Sequence, residues 1–199
     1  MRQADIVQRA LATDRSTVVR TLSRAFHNDP FITWFYPDER QRVRRIEAFF
    51  DLLWRANWRD GRIDIAADGQ GAALWRPPGR WRVPRRTMIV NLPAMISTYG
   101  MAAGRVMASL AAMERQHLAQ PHWYLMTLGI DPQAQGWGLG KALIHAGLDR
   151  CDADGVPAYL ESGDADNISF YERLGFRLLS ENDVPGGPCF YPMVRDVAN

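Results

Sequence analysis

The residues with the clearest capacity for chemistry are three closely spaced glycines followed by a lysine: Gly136, Gly138, Gly140 and Lys141. They stand between an apolar run, residues 123–130, and a segment in which apolar residues recur at helical spacing. The pattern predicts a strand, a turn and the start of a helix. Glycines before a helix allow backbone N–H groups to approach an anion at the positive end of the helix dipole. The simplest ligand for such a turn is a phosphate or pyrophosphate.

Spacing separates three phosphate-binding motifs that could contain these glycines. A P-loop requires a glycine and a Ser or Thr at positions that Gln135 and Ala142 occupy here. A dinucleotide fingerprint requires G-x-G-x-x-G, whereas the glycines here form G-x-G-x-G. The acidic Glu161, about twenty residues further on, nevertheless keeps that option open. The third motif, Q-x-x-G-x-G, is satisfied at every position, beginning with Gln135.

A second motif later in the chain favours the third alternative. Residues 167–176 form N-x-x-F-Y-x-x-x-G-F, which contains Asn167, Tyr171 and Phe176. With both motifs in this order, the chain resembles the GNAT superfamily of acyl-CoA-dependent N-acyltransferases over residues 5–195, most strongly over 123–178. Residues 155–161, residues 170–176 and an early Ala25-Phe26 pair look most similar to the puromycin N-acetyltransferase group.

The resemblance implies an enzyme that transfers an acetyl group directly from acetyl-CoA to a primary amine of a small molecule. An antibiotic-like or aminonucleoside acceptor is one option. Two alternatives remain open. One is a dinucleotide-dependent oxidoreductase, although fewer than 40 residues after Glu161 leave little room for a second mononucleotide-binding half. The other is a non-catalytic acyl-CoA-binding module, which would need neither Tyr171 nor Glu161.

The expected donor site lies along one strand and the glycine turn. In GNAT-like sites two parallel strands splay apart, and unpaired backbone groups of the first strand hold the pantetheine arm. The resemblance assigns that role to Leu128, Gly129 and Ile130. Gly129 permits a bulge or a close ligand approach, with plain packing as the alternative. The remaining expected cofactor-binding residues are Gln135, Gly136, Trp137, Gly138, Leu139, Gly140, Lys141 and Asn167.

Among these residues, one departs from the family pattern and another could have a second role. Trp137 replaces a basic residue that is common at this position in the family, so backbone amides and Lys141 are expected to meet the phosphate charge. Asn167 could cap the helix that follows it as well as contact the pantetheine amides.

Acid and base candidates complete the expected chemistry. Tyr171 occupies the position where the family places a tyrosine near the thioester sulfur. A phenol with an ordinary pKa near 10 is protonated at neutral pH and can donate to the leaving thiolate. Glu161 is the expected base for the ammonium, directly or through water, if burial raises its pKa. The alternative for Tyr171 is a role as a core aromatic residue, and the alternative for Glu161 is a salt bridge to an arginine. His122 and His145 are expected at the surface or in caps rather than as bases.

The expected acceptor site follows the first helix. Residues 27–38 contain two prolines and four aromatic residues, too many apolar groups for an idle surface loop. The resemblance places a wall of the acceptor site here, so the expected substrate-binding residues are Asp29, Phe31, Trp34 and Glu161. Packing on the core is the alternative role for the aromatic residues.

The elements that must position these residues alternate between helices and strands. Residues 61–66 and 71–75 predict a hairpin around Asp68-Gly69, and residues 87–117 predict helices broken at Pro93, Gly100 and Gly104. We therefore expect one domain over residues 1–199 with a mixed α/β (α+β) fold. Its GNAT-like central sheet should contain about six to seven strands, antiparallel at the ends with a parallel pair in the middle, flanked by helices.

Composition limits the expected metal content, cellular location and partners of the protein. Two cysteines without a C-x-x-C motif and four scattered histidines predict no metal site and a reducing, cytoplasmic location. A net charge of +2 is too small to argue for nucleic acid, and no apolar run reaches the ~18 residues of a membrane span. The expected partner is a small-molecule amine rather than nucleic acid or a membrane, and a homodimer is one option for assembly.

Overall fold

The computed structural model describes residues 6–82 and 85–198, apart from the side chains of Arg85 and Met88. Asp5, in the predicted first strand, and Pro84, in a predicted loop, lie outside the described residues. The strands are β1 Val7–Arg9, β2 Arg62–Ala66, β3 Gly71–Arg76, β4 Trp123–Ile130, β5 Ala158–Ser162, β6 Arg177–Leu178, β7 Asn182–Asp183 and β8 Cys189–Arg195. The helices are α1 Arg15–Ala25, α2 Pro30–Phe35, α3 Glu39–Trp58, α4 Arg85–Tyr99, α5 Ala103–Gln116, α6 Leu139–Asp154 and α7 Ile168–Glu172.

The strands form one mixed sheet. Their order is β1-β2-β3-β4-β5-β8-β6, and the short β7 pairs with β8. Among the described strands only β4 and β5 run parallel, and every other pair is antiparallel. This arrangement confirms the predicted mixed sheet with a parallel pair in its middle. It also argues against two parallel mononucleotide-binding halves, which need several adjacent parallel strands.

Helices cover both faces of the sheet, and β3 shows this most directly because all of its residues are buried. Side chains alternate between faces along a strand. Ala72 and Leu74 accordingly join an apolar cluster with α1, α2, α3 and α5, whereas Ala73 and Trp75 join a second cluster with α6. The functional elements are therefore held between two separate cores.

The parallel pair separates early. Pairing extends only over Trp123–Leu125 of β4 and Ala158–Leu160 of β5. Against β3, Leu74 pairs with Thr127 and Trp75 pairs with Leu125, so Met126 is an extra residue in a β-bulge. Beyond Met126, β4 pairs with β3 alone, and its other edge faces a gap.

The bulge is not at Gly129, where the sequence pattern permits one. Gly129 is instead required by helix packing, because a Cβ atom there would lie 2.7 Å from Leu22 Cδ2 and 3.1 Å from Ala25 Cβ. Helix α1 therefore crosses directly over the end of β4, and the packing alternative describes this glycine better.

Helix α6, which begins at the glycine turn, is fixed to the sheet in two ways. A Cβ atom at Gly147 would lie 2.1 Å from Trp75 Cζ2, so the helix backbone rests on that indole ring. Arg150 Nη2 also donates to Asp64 Oδ2 at 2.6 Å, and the Asp64 side chain is only 1% exposed. The position of the glycine turn is thus set by contacts with β2 and β3.

Two local predictions were wrong. Helix α2 forms where the sequence suggested a loop, because Pro30 suits a first helical turn and the Asp29 carboxylate accepts hydrogen bonds from Phe31 N and Ile32 N. Pro93 and Gly104 lie within helices instead of breaking them. The break between α4 and α5 occurs at Gly100, whose φ of +46° favours glycine.

The packing of α6 gives a prediction for stability. Gly147→Ala should lower the free energy of unfolding by about 1–3 kcal/mol, because the added methyl group cannot fit against the Trp75 ring without moving the helix. Gly104→Ala is the control, since a Cβ atom there meets nothing within 4 Å. It should stabilise helix α5 by up to about 1 kcal/mol. Urea unfolding of both variants measures the difference, and equal stabilities would contradict the packing described here.

Candidate active site

A cleft opens where β4 and β5 separate, with a volume of about 630 Å³. Twelve of the predicted site residues line it: Asp29, Leu128, Gly129, Ile130, Gln135, Gly136, Gly138, Leu139, Gly140, Lys141, Asn167 and Tyr171. Four do not: Phe31, Trp34, Trp137 and Glu161. The lining also includes residues that the sequence did not suggest for the site, among them Asn28, Asp164 and Phe170.

The glycine turn presents bare backbone to this cleft. Gly136 and Gly138 have φ values of +83° and +81°, a region that favours glycine, and a Cβ atom at either position would meet nothing within 4 Å. The first helical bond of α6 runs from Ala142 N to Gly138 O at 3.0 Å, so the amides before Ala142 have no intrahelical acceptor. These N–H groups and the exposed Lys141 can together bind an anion, whereas Trp137 is 68% exposed and lies outside the cleft.

The unpaired edge of β4 forms the adjoining wall. Leu128, Gly129 and Ile130 all line the cleft on the side that β5 has left. Gln135 Nε2 lies 3.5 Å from Ile130 O, a long contact that ties the turn to the end of the strand. An extended ligand could pair with this edge as an added strand does, because backbone donors and acceptors there lack a protein partner strand.

Tyr171 reaches the cleft from helix α7. Its ring packs against Phe170 and Phe176 at centroid distances of 5.2 and 5.8 Å. Its hydroxyl has no hydrogen-bond partner among the described residues, and burial raises the pKa of this phenol above its ordinary value. Tyr171 is therefore protonated at neutral pH and can donate to a ligand atom in the cleft.

Asn167 does not have the structural role that the sequence allowed. It stands before α7, but its side chain makes no capping hydrogen bond. The preceding turn is capped by Asp164, whose Oδ1 accepts from Asp166 N at 3.0 Å. The Asn167 amide is thus exposed at the cleft, where a ligand amide could bond to it.

Glu161 lies at the same gap on the other face of the sheet. Leu160 points into the α6 cluster, against which Tyr171 also packs, so the next residue of the strand points away from it. The Glu161 side chain is 2% exposed, and its Oε1 lies 3.0 Å from His117 Nδ1. Its side-chain partner is therefore a histidine and not an arginine. The two candidate catalytic side chains flank the gap from opposite faces.

Phe31 and Trp34 pack on the protein interior. A Cβ atom at Gly163 would lie 2.8 Å from Phe31 Cδ2, and one at Gly187 would lie 2.8 Å from Trp34. Both side chains belong to or border the core cluster around α2 and α3. Among the residues predicted for the acceptor site, the structure brings only Asp29 into the cleft.

His117 and His122 are the residues near this site that the sequence did not reveal. His122 was expected at the surface or in a cap, yet it is 2% exposed and its Nε2 lies 3.0 Å from His117 Nε2. No spacing pattern links these rings to Glu161, because His117 and Glu161 are 44 residues apart in the chain. Only the folded arrangement of α5, β4 and β5 places them together.

Comparison with known proteins identifies the family. A model of the Acetyltransferase (GNAT) family matches residues 68–176, more than half of the chain. The chain belongs to the GNAT acetyltransferase family. The match spans β3, the bulged β4, the glycine turn and Tyr171, so most of the residues that line the cleft lie in the matched part of this GNAT protein.

Individual relatives agree with this assignment. An uncharacterized N-acetyltransferase of Schizosaccharomyces pombe is 25% identical over 85% of this chain and 73% of its own length. A mycothiol acetyltransferase of Streptomyces avermitilis is 54% identical, but the match covers only 25% of this chain and 17% of that protein. A crystal structure from Corynebacterium glutamicum, described as histone acetyltransferase HPA2 and related acetyltransferase, is 28% identical with a TM-score of 0.76, covering 98% of this chain and 97% of that one.

The family assignment gives the cleft its chemical class, acyl transfer. The glycine turn and the open edge of β4 then form the side of the site suited to an acyl donor. Over the described residues, no helix combines the length and apolarity needed to cross a membrane.

Asp29 gives a prediction for the pH dependence of stability. Burial raises its pKa from 3.8 to about 6, with the charge of Asp164 adding to the shift and the hydrogen bonds from Ile32 N and Phe31 N opposing it. Between these two pH values the folded protein holds the proton more tightly than the unfolded chain, so this group's contribution to stability falls as the pH rises.

Asp29→Asn should keep the cap, because its amide oxygen can still accept both N–H groups, and should remove this titration. The variant should gain stability relative to the parent as the pH rises from about 4 to about 6, and the difference should stay constant above that range. Urea unfolding over pH 4 to 8 provides the measurement. A variant that is less stable than the parent by the same amount at every pH would show that burial of the Asp29 charge has no such cost.

Proposed function

We propose that this GNAT protein transfers an acetyl group from acetyl-CoA directly to a primary amine of a small molecule. One observation carries the proposal: a single cleft combines an anion-binding helix start, an unpaired strand edge and a protonated phenol. These are the features required to hold a pyrophosphate, an amide-bearing pantetheine arm and a leaving thiolate, in that order along the cleft.

Donor binding follows from the backbone. The amides of the glycine turn would bind the pyrophosphate, because the open space at Gly136 and Gly138 lets phosphate oxygens approach the main chain. The pantetheine amides would pair with residues 128–130 and with Asn167. Among the residues that line the cleft, Lys141 is the cation nearest to the turn in sequence, which makes it the expected side-chain contact with phosphate.

The transfer step needs three proton movements. The ammonium must lose one proton to become a nucleophile, its nitrogen must lose a second as the amide forms, and the departing thiolate must gain one. The second nitrogen proton would restore the phenol that has protonated the sulfur, directly or through water. Tyr171 would donate its hydroxyl proton to the sulfur from the α6 face of the sheet. Glu161 would accept the ammonium proton on the opposite face. This separation prevents the acid and the base from neutralising each other before the acyl group moves.

Charge favours a cationic acceptor. Asp29 and Asp164 both line the cleft, so two carboxyl groups face the approach of the amine. We propose an antibiotic-like or aminonucleoside amine as the acceptor, on the resemblance of residues 155–161 and 170–176 to the puromycin N-acetyltransferase group. Phe31 lies in the core and the partly buried Trp34 packs against it, which supports a role for both in holding the Asp29 segment rather than in direct contact.

The direct experiment is a screen for thiol release from acetyl-CoA with a library of amines that includes puromycin. Cationic primary amines should release CoA, and their N-acetylated forms should not. A thermal-shift series with acetyl-CoA and NAD accompanies the screen, and only acetyl-CoA should raise the melting temperature. Stabilisation by acetyl-CoA without turnover of any amine would instead support a non-catalytic acyl-CoA-binding module.

Gly138 tests the proposed pyrophosphate site. Gly138→Asp should abolish acetyl-CoA binding, because a carboxylate would occupy the space where phosphate oxygens approach the turn. Gly155→Asp is the matched control: Gly155 ends the same helix, has a φ of +65° and also has open space around a Cβ atom. Both variants should lose about 1–3 kcal/mol of stability through backbone strain. Calorimetric titration that finds wild-type affinity in folded Gly138→Asp would reject the site.

Tyr171 tests the proposed acid. Tyr171→Phe removes one oxygen and keeps the packing with Phe170 and Phe176, so stability should barely change. The kcat should fall by roughly 10²-fold or more, with little change in acetyl-CoA affinity, because the hydroxyl acts only as the thiolate leaves. Tyr191→Phe, at a half-buried position of β8 outside the lining of the cleft, should leave kcat unchanged. Near wild-type kcat in Tyr171→Phe, measured where chemistry limits the rate, would mean that the thiolate takes its proton from water.

A further inference from the structure

A buried hydrogen-bonded chain lies behind Glu161. Glu161 Oε1 is 3.0 Å from His117 Nδ1, His117 Nε2 is 3.0 Å from His122 Nε2, and His122 Nδ1 is 2.7 Å from the carbonyl oxygen of Gln120. The side chains of Glu161 and His117 are 2% and 3% exposed. The chain therefore runs from the catalytic gap to the α5–β4 connection with little access to water.

The carbonyl at the end of the chain determines the direction of every hydrogen bond in it. A carbonyl oxygen only accepts, so His122 Nδ1 must carry a hydrogen. Burial lowers the pKa of His122, which keeps the ring neutral and leaves its Nε2 as an acceptor. His117 Nε2 must then donate to it. A single further hydrogen lies between His117 Nδ1 and Glu161 Oε1, giving either a neutral pair or an imidazolium–carboxylate pair.

The surrounding groups favour the imidazolium–carboxylate pair. Tyr124 of β4 and Tyr159 of β5 remain protonated, because burial first and then the charge of Glu161 raise the pKa of both phenols. From β3, the buried cation Arg76 pairs in register with Tyr124. The ring of Trp81 stacks on the His117 ring with 3.8 Å between their centroids. Arg82 Cζ lies 4.4 Å from the centroid of the Trp81 ring. The two phenols thus offer proton donors to the carboxylate, and the face of Trp81 accepts an imidazolium.

One atom of this carboxylate has no partner. Glu161 Oε2 is buried and has no partner in good hydrogen-bond geometry among the described residues, although the Tyr124 and Tyr159 hydroxyls lie beside the carboxylate. An unpaired carboxylate oxygen in a buried site is costly, so its retention indicates a ligand. The acceptor ammonium of the proposed reaction supplies the matching N–H group.

We propose that His117, held in orientation by His122 and the Gln120 carbonyl, is a positioning residue that keeps Glu161 ionised with Oε2 directed at the acceptor amine. This inference rests on the proposed function. In the step it serves, an N–H bond of the ammonium breaks, its electron pair stays on nitrogen for attack on the thioester, and an O–H bond forms at Oε2. The carboxyl group returns that proton to water after the amide product leaves.

The protonation pattern can be measured without any acceptor. The chain contains four histidines, so ¹⁵N-histidine NMR of the whole protein can resolve each ring. His122 should carry hydrogen only on Nδ1, and His117 should carry hydrogen on both nitrogens at neutral pH. In Glu161→Gln, His117 should become a neutral ring while His122 stays unchanged. A singly protonated His117 in the wild type, or a His122 protonated on Nε2, would overturn the proposal whatever the acceptor proves to be.

Steady-state kinetics test whether loss of His117 impairs Glu161 as the proposed base. His117→Phe keeps an aromatic ring against Trp81 but leaves the buried carboxylate without its cation, so Glu161 should hold a proton at neutral pH. The kcat/KM should fall at least roughly tenfold at pH 7 and recover as the pH is raised, with acetyl-CoA affinity unchanged. With the same amine in both enzymes, titration of the amine itself cancels from the comparison.

Controls separate this role from a structural one. His145→Gln, on the half-buried surface of α6, should leave the pH profile unchanged. His122→Phe should shift the profile in the same direction as His117→Phe. A loss in His117→Phe that is equal at every pH, or no loss at all, would overturn the proposal. If the wild type shows no transfer to any amine, the proposed function fails, and the NMR result still decides the state of the histidine chain.

Discussion

The structure depends on the early separation of two parallel strands. Pairing between β4 and β5 lasts only to Leu125 and Leu160, and the bulge at Met126 lies directly beyond the last paired residue of β4. A strand edge in the middle of a sheet is normally paired, because unsatisfied backbone groups away from water are costly. Here the second half of β4 has a partner strand on one side only, and the cleft lies on the other side. In the proposed function, the acyl donor occupies that edge.

The two apolar cores pack on opposite faces of the sheet at this gap. Each face carries a different candidate catalytic side chain. Helix α6 rests on Trp75 through Gly147 and so fixes the glycine turn, whereas α1 rests on Gly129 and closes the other side of β4. The face toward α6 carries a protonated phenol between Phe170 and Phe176. The opposite face carries Glu161 and its histidine chain. Burial thus keeps the pKa of Tyr171 high on one face, while His117 lies within hydrogen-bond distance of Glu161 on the other. The arrangement suits a reaction that takes a proton on one face and gives one on the other.

Much of this arrangement could be predicted from the sequence because it depends on local patterns. The strand at residues 123–130, the glycine turn and helix α6 follow from apolar periodicity and from glycines that the backbone conformation requires. The parallel pair in the middle of a mixed sheet followed from the family resemblance. Contacts between distant segments could not be read in this way. The packing of α1 on Gly129, the core positions of Phe31 and Trp34, and the pairing of His117 with Glu161 all depend on side chains that meet only in the fold. The capping role that the sequence allowed for Asn167, beside its expected contact with the cofactor, is absent because Asp164 caps that turn.

The central claim is that the split edge of β4 and the start of α6 together bind the acyl donor. Hydrogen–deuterium exchange of backbone amides, measured with and without saturating acetyl-CoA, tests it most directly because it reports on these amides themselves. Exchange should slow in the segment covering residues 126–141 and in the turn around Asn167, while helix α3 (Glu39–Trp58) should be unaffected. Unchanged exchange in residues 126–141, or protection confined to a surface away from the β4–β5 gap, would contradict it.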